Sequence, residues 1–330
     1  TSALQPHLAK LLRESPDAVR IAMADAVGNL TLSDAAPALL ESVADTKLNS
    51  DVRVAALDAL AALKDTRLGD ALNLARSDKV EALRRAASRL AGTTGSGGGA
   101  ASLTAALEGG SVGEKQTAVQ ALGVMKGKEA DDALAKLLDQ LLAGKVAKEL
   151  TFDVIDAASK KSATKIKDRL AKYVASLDPK DDLAKWRDTL YGGDAKAGRQ
   201  IFYERAEAGC FRCHKVNGEG GDVGPDLTGI INRQPREYLL ESMVYPNKKI
   251  APGFESVLVV LKNGEPHTGI LKSETADALV VNSPEDGLLK VPKANIARRD
   301  KSLSPMPEGL GDILSKRDLR DVIEFLSTSK

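Results

Sequence analysis

Alanine and leucine recur with helical spacing through the first 190 residues of the chain. The clearest segment of this kind is DVRVAALDAL at residues 51–60, and related segments lie near residues 17–26, 83–87 and 114–122. The basic residues Arg20, Arg53, Arg84 and Lys115 occupy the same place in these segments, at intervals of 33, 31 and 31 residues. A period of this length predicts one helical hairpin per repeat, with each hairpin stacked on the next.

The repeated segment resembles HEAT-like or phycobilisome-lyase-type repeats, although the usual HEAT period is longer, at ~40–47 residues. A weaker copy begins near Lys148, and the glycine-rich run at 92–99 predicts a flexible loop that interrupts the array. The resemblance implies either a plain spacer or a concave docking surface for another protein or domain. It is not specific for a function.

The pattern changes after Tyr191, where glycines, prolines and β-branched runs replace the alanine-rich helices. We therefore expect two domains, a helical repeat domain at 1–190 and a second domain at 191–330. Asp194 predicts the start of a helix, and Ser315 with Asp318 forms a capping-box pattern before a closing amphipathic helix. Short β-branched runs separated by turns predict a small β-sheet insertion at about 254–300.

The balance of charges disfavours two classes of partner. The chain has 47 basic and 46 acidic residues, a formal net charge of +1, and 43% hydrophobic residues. This balance does not favour nucleic acid or acidic membranes as partners. No apolar run is long enough to span a bilayer. The chain begins at Thr1 with no visible signal peptide, so we expect a mature protein or an excised fragment.

The segment Cys210-Phe211-Arg212-Cys213-His214 contains both cysteines and one of the three histidines of the chain. A Cys-x-x-Cys-His pattern is typical of c-type haem attachment, in which the two thiols bind the haem vinyl groups and the histidine binds iron. A redox dithiol and half of a zinc site are the alternatives. A dithiol does not use the histidine, and a zinc site requires ligands beyond this segment.

A haem iron held by His214 needs a partner on its other side. Met306, between Pro305 and Pro307, is the best candidate, since a rigid loop suits a thioether held against iron. Met243 is expected to be a core residue of a short helix, and His267, in a predicted hairpin, is the rival that would give bis-histidine ligation. His7, Met23 and Met125 are not expected to be ligands. The carbonyl group of Pro225 is a candidate acceptor for the Nδ1–H group of His214.

The two terminal helices of the second domain are typical of a class I cytochrome c fold, in which they cross near the haem edge. Gly198 would allow their close approach, with Phe202 and Phe325 in contact. The fold class predicted for the whole chain is therefore mainly α, with a HEAT-like α-solenoid followed by a class I cytochrome c-like domain that carries a small β-sheet insertion.

Residues 190–330 resemble the haem-binding domain of the Pirellula type found in planctomycetes and verrucomicrobia. The matching motifs, apart from the haem segment and the two terminal helices, lie at 224–229, 236–242, 246–253, 268–271 and 303–310. Pro305 stands where a less rigid residue is common in the family. The resemblance implies that the chain is the C-terminal part of a larger exported protein with a dehydrogenase-like domain.

The sequence predicts an electron-transfer module with one covalently bound haem c, ligated by His214 and Met306 and tethered by Cys210 and Cys213. The expected partners are an upstream dehydrogenase-like domain or protein as electron donor and a soluble or membrane redox acceptor, in the periplasm or cell envelope. The chain itself is not expected to catalyse a reaction on a substrate. The alternatives are a haem enzyme or a gas or redox sensor with an open sixth position, and a repeat scaffold in which the haem is structural.

Overall fold

The computed structural model describes residues 5–94, 99–283 and 286–330 of the 330-residue chain. The chain divides into two compact units, the first ending at Ser176 and the second running from Leu177 to Lys330. This division lies earlier than the 190/191 boundary expected from the sequence. The reason is that Leu183 and Leu190, on either side of the 3₁₀ helix Ala184–Thr189, are buried in the core of the second unit.

The first unit is helical, as predicted. Its described helices are α1 (Gln5–Glu14), α2 (Asp17–Asn29), α3 (Ala36–Ala44), α4 (Ser50–Leu63), α5 (Leu68–Arg76), α6 (Glu81–Thr94), α7 (Gly99–Gly109), α8 (Val112–Val124), α9 (Lys128–Leu142), α10 (Thr151–Ser159) and α11 (Thr164–Ala175), with short 3₁₀ helices at Ser33–Ala35 and Lys148–Leu150. Helix α2 packs against α4, α4 against α6, α6 against α8, and α8 against α10. The helices that carry the repeated segment therefore pack in the order of the sequence.

Two of the aligned arginines connect neighbouring helices of the first unit. The guanidinium group of Arg53 is buried; it donates to the carbonyl oxygen of Val43 at 2.8 and 2.9 Å and pairs with Asp78. Arg84 donates to the carbonyl oxygen of Asp78 at 2.7 Å and to Glu114 at 2.5 Å. The pairing with Arg84, assisted by the backbone N–H group of Ser111, lowers the pKa of Glu114 to about 2, against the opposing effect of burial.

The glycine-rich run at 92–99 is only partly the loop expected from the sequence. Helix α6 continues through Thr94, with Gly92 buried inside it, and α7 begins at Gly99. The prediction of a loop was therefore wrong at Gly92, because the glycine lies on the face of α6 that packs against α8. Residues 95–98 lie outside the described residues.

The helices of the second unit surround a separate core. They are α12 (Ala195–Glu204), α13 (Cys210–Cys213), α14 (Arg236–Val244), α15 (Leu310–Ile313) and α16 (Lys316–Thr328), with a 3₁₀ helix at Ile230–Asn232. Asp194 caps α12 by accepting from the backbone N–H groups of Lys196 and Ala197, and Ser315 with Asp318 forms the expected capping box of α16. No described helix has both the length and the apolar character that crossing a membrane would require.

Helices α12 and α16 cross in close contact, as predicted. A Cβ atom added to Gly198 would lie 1.9 Å from the backbone oxygen of Asp321, so only glycine allows this approach. The rings of Phe202 and Phe325 pack with their centroids 5.6 Å apart. The carboxylate of Asp321 also accepts from the backbone N–H group of Asp194 at 2.8 Å. The crossing thus joins the two ends of the second unit.

A two-stranded hairpin consists of β1 (Lys215–Val216) and β2 (Glu219–Gly220). A separate five-stranded antiparallel sheet lies between α14 and α15 in the sequence, and its strands are β3 (Ser256–Leu261), β4 (Pro266–Glu274), β5 (Ala278–Ser283), β6 (Gly287–Pro292) and β7 (Ile296–Lys301). Their order in the sheet is β6-β5-β4-β3-β7. Val259 pairs with His267 on one side and with Arg299 on the other. The β-sheet insertion predicted at about 254–300 is present as this sheet, although β7 does not contain a β-branched run.

Candidate functional site

The two cysteines of the chain lie on one short helical turn, α13. Gly209, which directly precedes this turn, has a left-handed backbone conformation with φ +60°. Residues three apart in a helix lie on the same face, so the turn directs both thiols to one side. The backbone N–H group of His214 donates to the carbonyl oxygen of Cys210 at 2.9 Å, and the backbone becomes extended at His214. The turn therefore brings both thiols and the imidazole to one wall of a cavity.

That cavity has a volume of about 510 Å³ and is lined by all five residues that the sequence singled out, Cys210, Cys213, His214, Pro225 and Met306. Its other walls are mainly apolar. They include residues of α14, the segment after α14, strand β4, the loop at 304–309 that carries Met306 (the methionine loop), α15 and α16, among them Leu239, Met243, Pro252, Phe254, Ile270, Leu310 and Leu326. Sequence segments separated by about a hundred residues thus meet around one space.

The imidazole of His214 is held in one tautomer. Its Nδ1 atom lies 2.9 Å from the carbonyl oxygen of Pro225. Because a carbonyl oxygen can only accept, Nδ1 carries the proton and Nε2 keeps its lone pair. Burial lowers the pKa of His214, against the opposing effect of the hydrogen bond to Pro225, and so favours the neutral ring that a metal requires.

A glycine next to Pro225 makes room for this ring. A Cβ atom added to Gly224 would lie 2.5 Å from Cε1 of His214 and 2.7 Å from Nδ1. A side chain at this position would force the imidazole to move. The segment Gly224-Pro225 therefore sets both the hydrogen bond and the orientation of His214.

The thiol of Cys210 does not have the properties of a redox dithiol. Burial raises its pKa to about 11, whereas reactive dithiols depend on a lowered pKa. Such a thiol remains uncharged at neutral pH, which suits an apolar wall and a thioether product. Within the described ranges, no group of three or more His, Cys, Asp and Glu side chains is arranged to hold a metal ion.

Met306 and Met243 both line the cavity, whereas His267 is not among the described lining residues. Met306 is half-buried in a loop that precedes α15, and its backbone N–H group lies 3.2 Å from Oγ of Ser304. Met243 is buried on α14 as part of the core of the second unit, as expected from its place on an apolar stripe. His7 is exposed and Met125 is buried in the first unit.

Two basic residues near the cavity form ion pairs. Arg236 pairs with Glu324 at 2.8 Å, and Lys248 pairs with Glu241 and Asp182 at 2.9 and 3.0 Å. Two basic residues that line the cavity have other partners. Arg233 donates to the backbone oxygen atoms of Thr228 and Asp226 at 3.1 and 2.8 Å, and Nζ of Lys249 lies 5.3 Å from the ring centroid of Tyr238.

Residues 195–281 match the family model for Cytochrome c, and a comparison with curated proteins finds no match. The matched segment covers α12, the two cysteines, His214 and Pro225, and ends before Met306. A cytochrome c domain implies covalently bound haem c with iron, and it supports a haem-binding electron-transfer module that works with a redox partner.

The cavity fits this cofactor. Its volume is within the range of about 300–1000 Å³ that is usual for cofactor sites, and its mostly apolar walls suit a porphyrin. The two thiols on one turn suit the two vinyl groups, and Nε2 of His214 offers a lone pair to iron. Sequence reasoning did not foresee Phe254 and Ile270 in the walls. The motifs at 246–253 and 268–271, which match the Pirellula-type domain, could have indicated these wall residues, since Phe254 directly follows the first motif and Ile270 lies in the second.

Proposed function

We propose that the second unit transfers single electrons through one haem c that Cys210 and Cys213 tether and that His214 and Met306 ligate. The observation that carries the proposal is that these four residues, with Pro225, line the same cavity although Met306 is 92 positions beyond His214. When bound, the haem supplies the iron that gains and loses one electron. The residues of the chain hold it, orient its histidine ligand and exclude water.

Each residue has a separate role in the proposed site. The thiols of Cys210 and Cys213 form the covalent bonds that fix the porphyrin against α13. The carbonyl oxygen of Pro225 keeps the proton of His214 on Nδ1, so that Nε2 remains available to iron. The sulfur atom of Met306 is the soft ligand that raises the reduction potential, as an electron carrier requires.

The wider setting belongs to the same proposal. The motifs of the second unit support the Pirellula-type family, and the successive packing of α2, α4, α6, α8 and α10 supports HEAT-like repeats in the first unit. The chain would then be the C-terminal part of an exported, periplasmic or cell-envelope dehydrogenase-like protein. It would receive electrons from that domain, pass them to a soluble or membrane acceptor, and perform no substrate chemistry itself.

A haem enzyme or sensor is the main rival, because such proteins keep an open or displaceable sixth position. The presence of two methionines in the cavity wall favours the carrier, since a thioether in the wall is a candidate sixth ligand for the iron. A comparison of the two methionines therefore tests both the ligand and the class of protein.

The experiment replaces each methionine by leucine in the haem-loaded chain. We expect the wild-type ferric protein to be low-spin, with the weak methionine–iron absorption band at the red end of the visible spectrum. Met306→Leu should abolish this band and lower the reduction potential, whereas the control Met243→Leu should keep the band. A five-coordinate wild type that binds carbon monoxide freely would contradict the carrier, and loss of the band only in Met243→Leu would transfer the ligand role to Met243.

A further inference from the structure

One side chain bridges the loop that carries Met306. Asn247 accepts from the backbone N–H group of Ser304 through Oδ1 at 2.7 Å, and its Nδ2 atom donates to the carboxylate of Glu308. Ser304 precedes Met306 by two residues and Glu308 follows it by two. A single amide group therefore contacts the loop on both sides of the methionine.

Apart from these contacts, Met306 itself packs against the core of the second unit. Pro305 and Pro307 have no N–H group to donate, so the residues on either side of Met306 cannot take part in regular backbone pairing. Within the loop, Oγ of Ser304 accepts from the backbone N–H group of Met306 at 3.2 Å. Because Ser304 is itself held by Asn247, this internal hydrogen bond also depends on the amide group of Asn247.

Asn247 is well placed to act as an anchor because it directly follows a helix of the cavity wall. Helix α14 ends at Val244, and Pro246, which is buried, lines the cavity. The backbone N–H group of Lys248 donates to the carbonyl oxygen of Tyr245 at 3.0 Å, and Nζ of Lys248 pairs with Glu241 on α14 at 2.9 Å. The backbone hydrogen bond closes the turn that contains Asn247, and the ion pair of Lys248 with Glu241 ties this turn to α14.

We propose that Asn247 is a positioning residue for the sixth ligand of the haem iron, which it holds in place by joining the methionine loop to α14. This inference rests on the proposed function, in which Met306 is that ligand. A thioether binds iron weakly and is lost when its loop moves, so the closed loop needs support from outside its own residues. The sheet that separates α14 from the loop in sequence makes this link a long-range one, across 57 and 61 residues.

The first test is Asn247→Ala in the haem-loaded protein. Without the amide group the loop loses both of its hydrogen bonds to Asn247, so it should open about tenfold more often. We expect a weaker methionine–iron band, a lower reduction potential and a carbon monoxide binding rate that rises about tenfold in the ferrous protein. Haem content should remain that of the wild type, because Cys210, Cys213 and His214 are unchanged.

Asn263→Ala is the matched control. Asn263 makes the same kinds of hydrogen bond within the turn between β3 and β4, accepting from the backbone N–H group of Glu265 at 3.1 Å and donating to its carboxylate at 3.3 Å. It does not line the cavity. Its removal should leave the band, the potential and the carbon monoxide rate at their wild-type values.

A paired exchange separates positioning from a general loss of folding. Asn247→Asp keeps the acceptor for Ser304 but places a carboxylate against that of Glu308, so the band should weaken. Adding Glu308→Gln restores the hydrogen bond with its direction reversed, because the amide at position 308 then donates to the carboxylate at position 247. The band should therefore return. A merely structural defect at Asn247 would not be rescued in this way.

The outcomes distinguish this inference from the proposed function. If Met306→Leu abolishes the band while Asn247→Ala leaves band, potential and carbon monoxide rate unchanged, Met306 is the ligand and the role of Asn247 is refuted. Failure of Glu308→Gln to restore the band in Asn247→Asp also refutes it. If Met306→Leu keeps the band, the proposed ligand is wrong and the inference falls with it.

Discussion

Nδ1 of His214 lies 2.9 Å from the carbonyl oxygen of Pro225. The acceptor is a backbone group, so no side-chain substitution removes it and its ability to accept does not change with pH. The tautomer of the histidine therefore depends on the path of the chain through Gly224 and Pro225. This dependence makes Gly224 a more informative position for substitution than Pro225 itself.

Gly224→Ala should disturb the histidine without removing it. The added methyl group would lie 2.5 Å from Cε1 of His214, so the ring or the backbone must move. We expect lower haem c content and a shift of the remaining ferric haem toward high spin, measured by haemochrome assay and absorption spectroscopy. Gly69→Ala is the control, since a Cβ atom there meets nothing within 4 Å. Wild-type content and spin state in Gly224→Ala would contradict the steric role assigned to this glycine.

Replacement of the cysteines tests the covalent tether. Cys210→Ala or Cys213→Ala alone leaves one thiol to form a thioether, so part of the haem should stay on the chain after denaturation. The double variant should release all of it. A denaturing gel stained for haem makes the measurement, with wild type and Phe211→Leu as controls that keep both thiols. Haem that remains attached to the double variant would show that the tether lies elsewhere.

Gly198→Ala should destabilise the second unit. The new Cβ atom would overlap the backbone oxygen of Asp321, at 1.9 Å, and would also approach Phe325. Forcing the two helices apart should lower the free energy of unfolding by at least about 2 kcal/mol. Denaturant unfolding followed by haem absorbance measures this change. Gly109→Ala has open space around its Cβ atom and should leave the unfolding curve unchanged; equal curves for the two variants would disprove the close crossing.

The ion pair between Arg84 and Glu114 predicts a pH-dependent contribution to the stability of the first unit. The pKa of Glu114 is lowered from 4.5 to about 2, mainly by the hydrogen bond from Arg84. A carboxyl group with a lowered folded-state pKa stabilises the fold above its unfolded value and loses this effect as the pH falls through the folded value. Glu114→Gln should therefore lower the free energy of unfolding by about 2 kcal/mol at pH 7.

The difference between wild type and Glu114→Gln should shrink as the pH is lowered from 4.5 toward about 2. Denaturant titrations followed by helical circular dichroism at several pH values give the measurement. Glu108→Gln, on an exposed position of α7, is the control and should behave as wild type throughout. A difference that is constant with pH would mean that the carboxylate charge of Glu114 does not stabilise the unit.

Local patterns in the sequence predicted those features that depend on local chemistry. The capping box of Ser315 and Asp318, the close approach at Gly198 and the contact of Phe202 with Phe325 are all present. Each depends on a residue type whose structural role at that position is narrow. These are a short hydroxyl side chain before a helix, a glycine within a helix, and large aromatic rings on a buried stripe.

Features that depend on tertiary pairing were missed. Strand β7 has the sequence IARRDK, in which the charged residues hide any alternation, and it pairs with β3 at the edge of the sheet. The 3₁₀ helix Ala184–Thr189 has no strong sequence pattern. It belongs to the second unit because the leucines on either side of it are buried in the core of that unit. The link from Asn247 to the methionine loop could not be foreseen either, because an asparagine after a helix is ordinary turn chemistry until its distant partners are known.

The crossing of α12 and α16 also closes the haem cavity from the far end of the unit. The cysteine turn lies near the start of the unit, whereas Leu326, which lines the cavity, belongs to its last helix. The cavity is therefore complete only when the last helix is docked against α12. A chain without α16 would keep both thiols and lose one wall of the cavity.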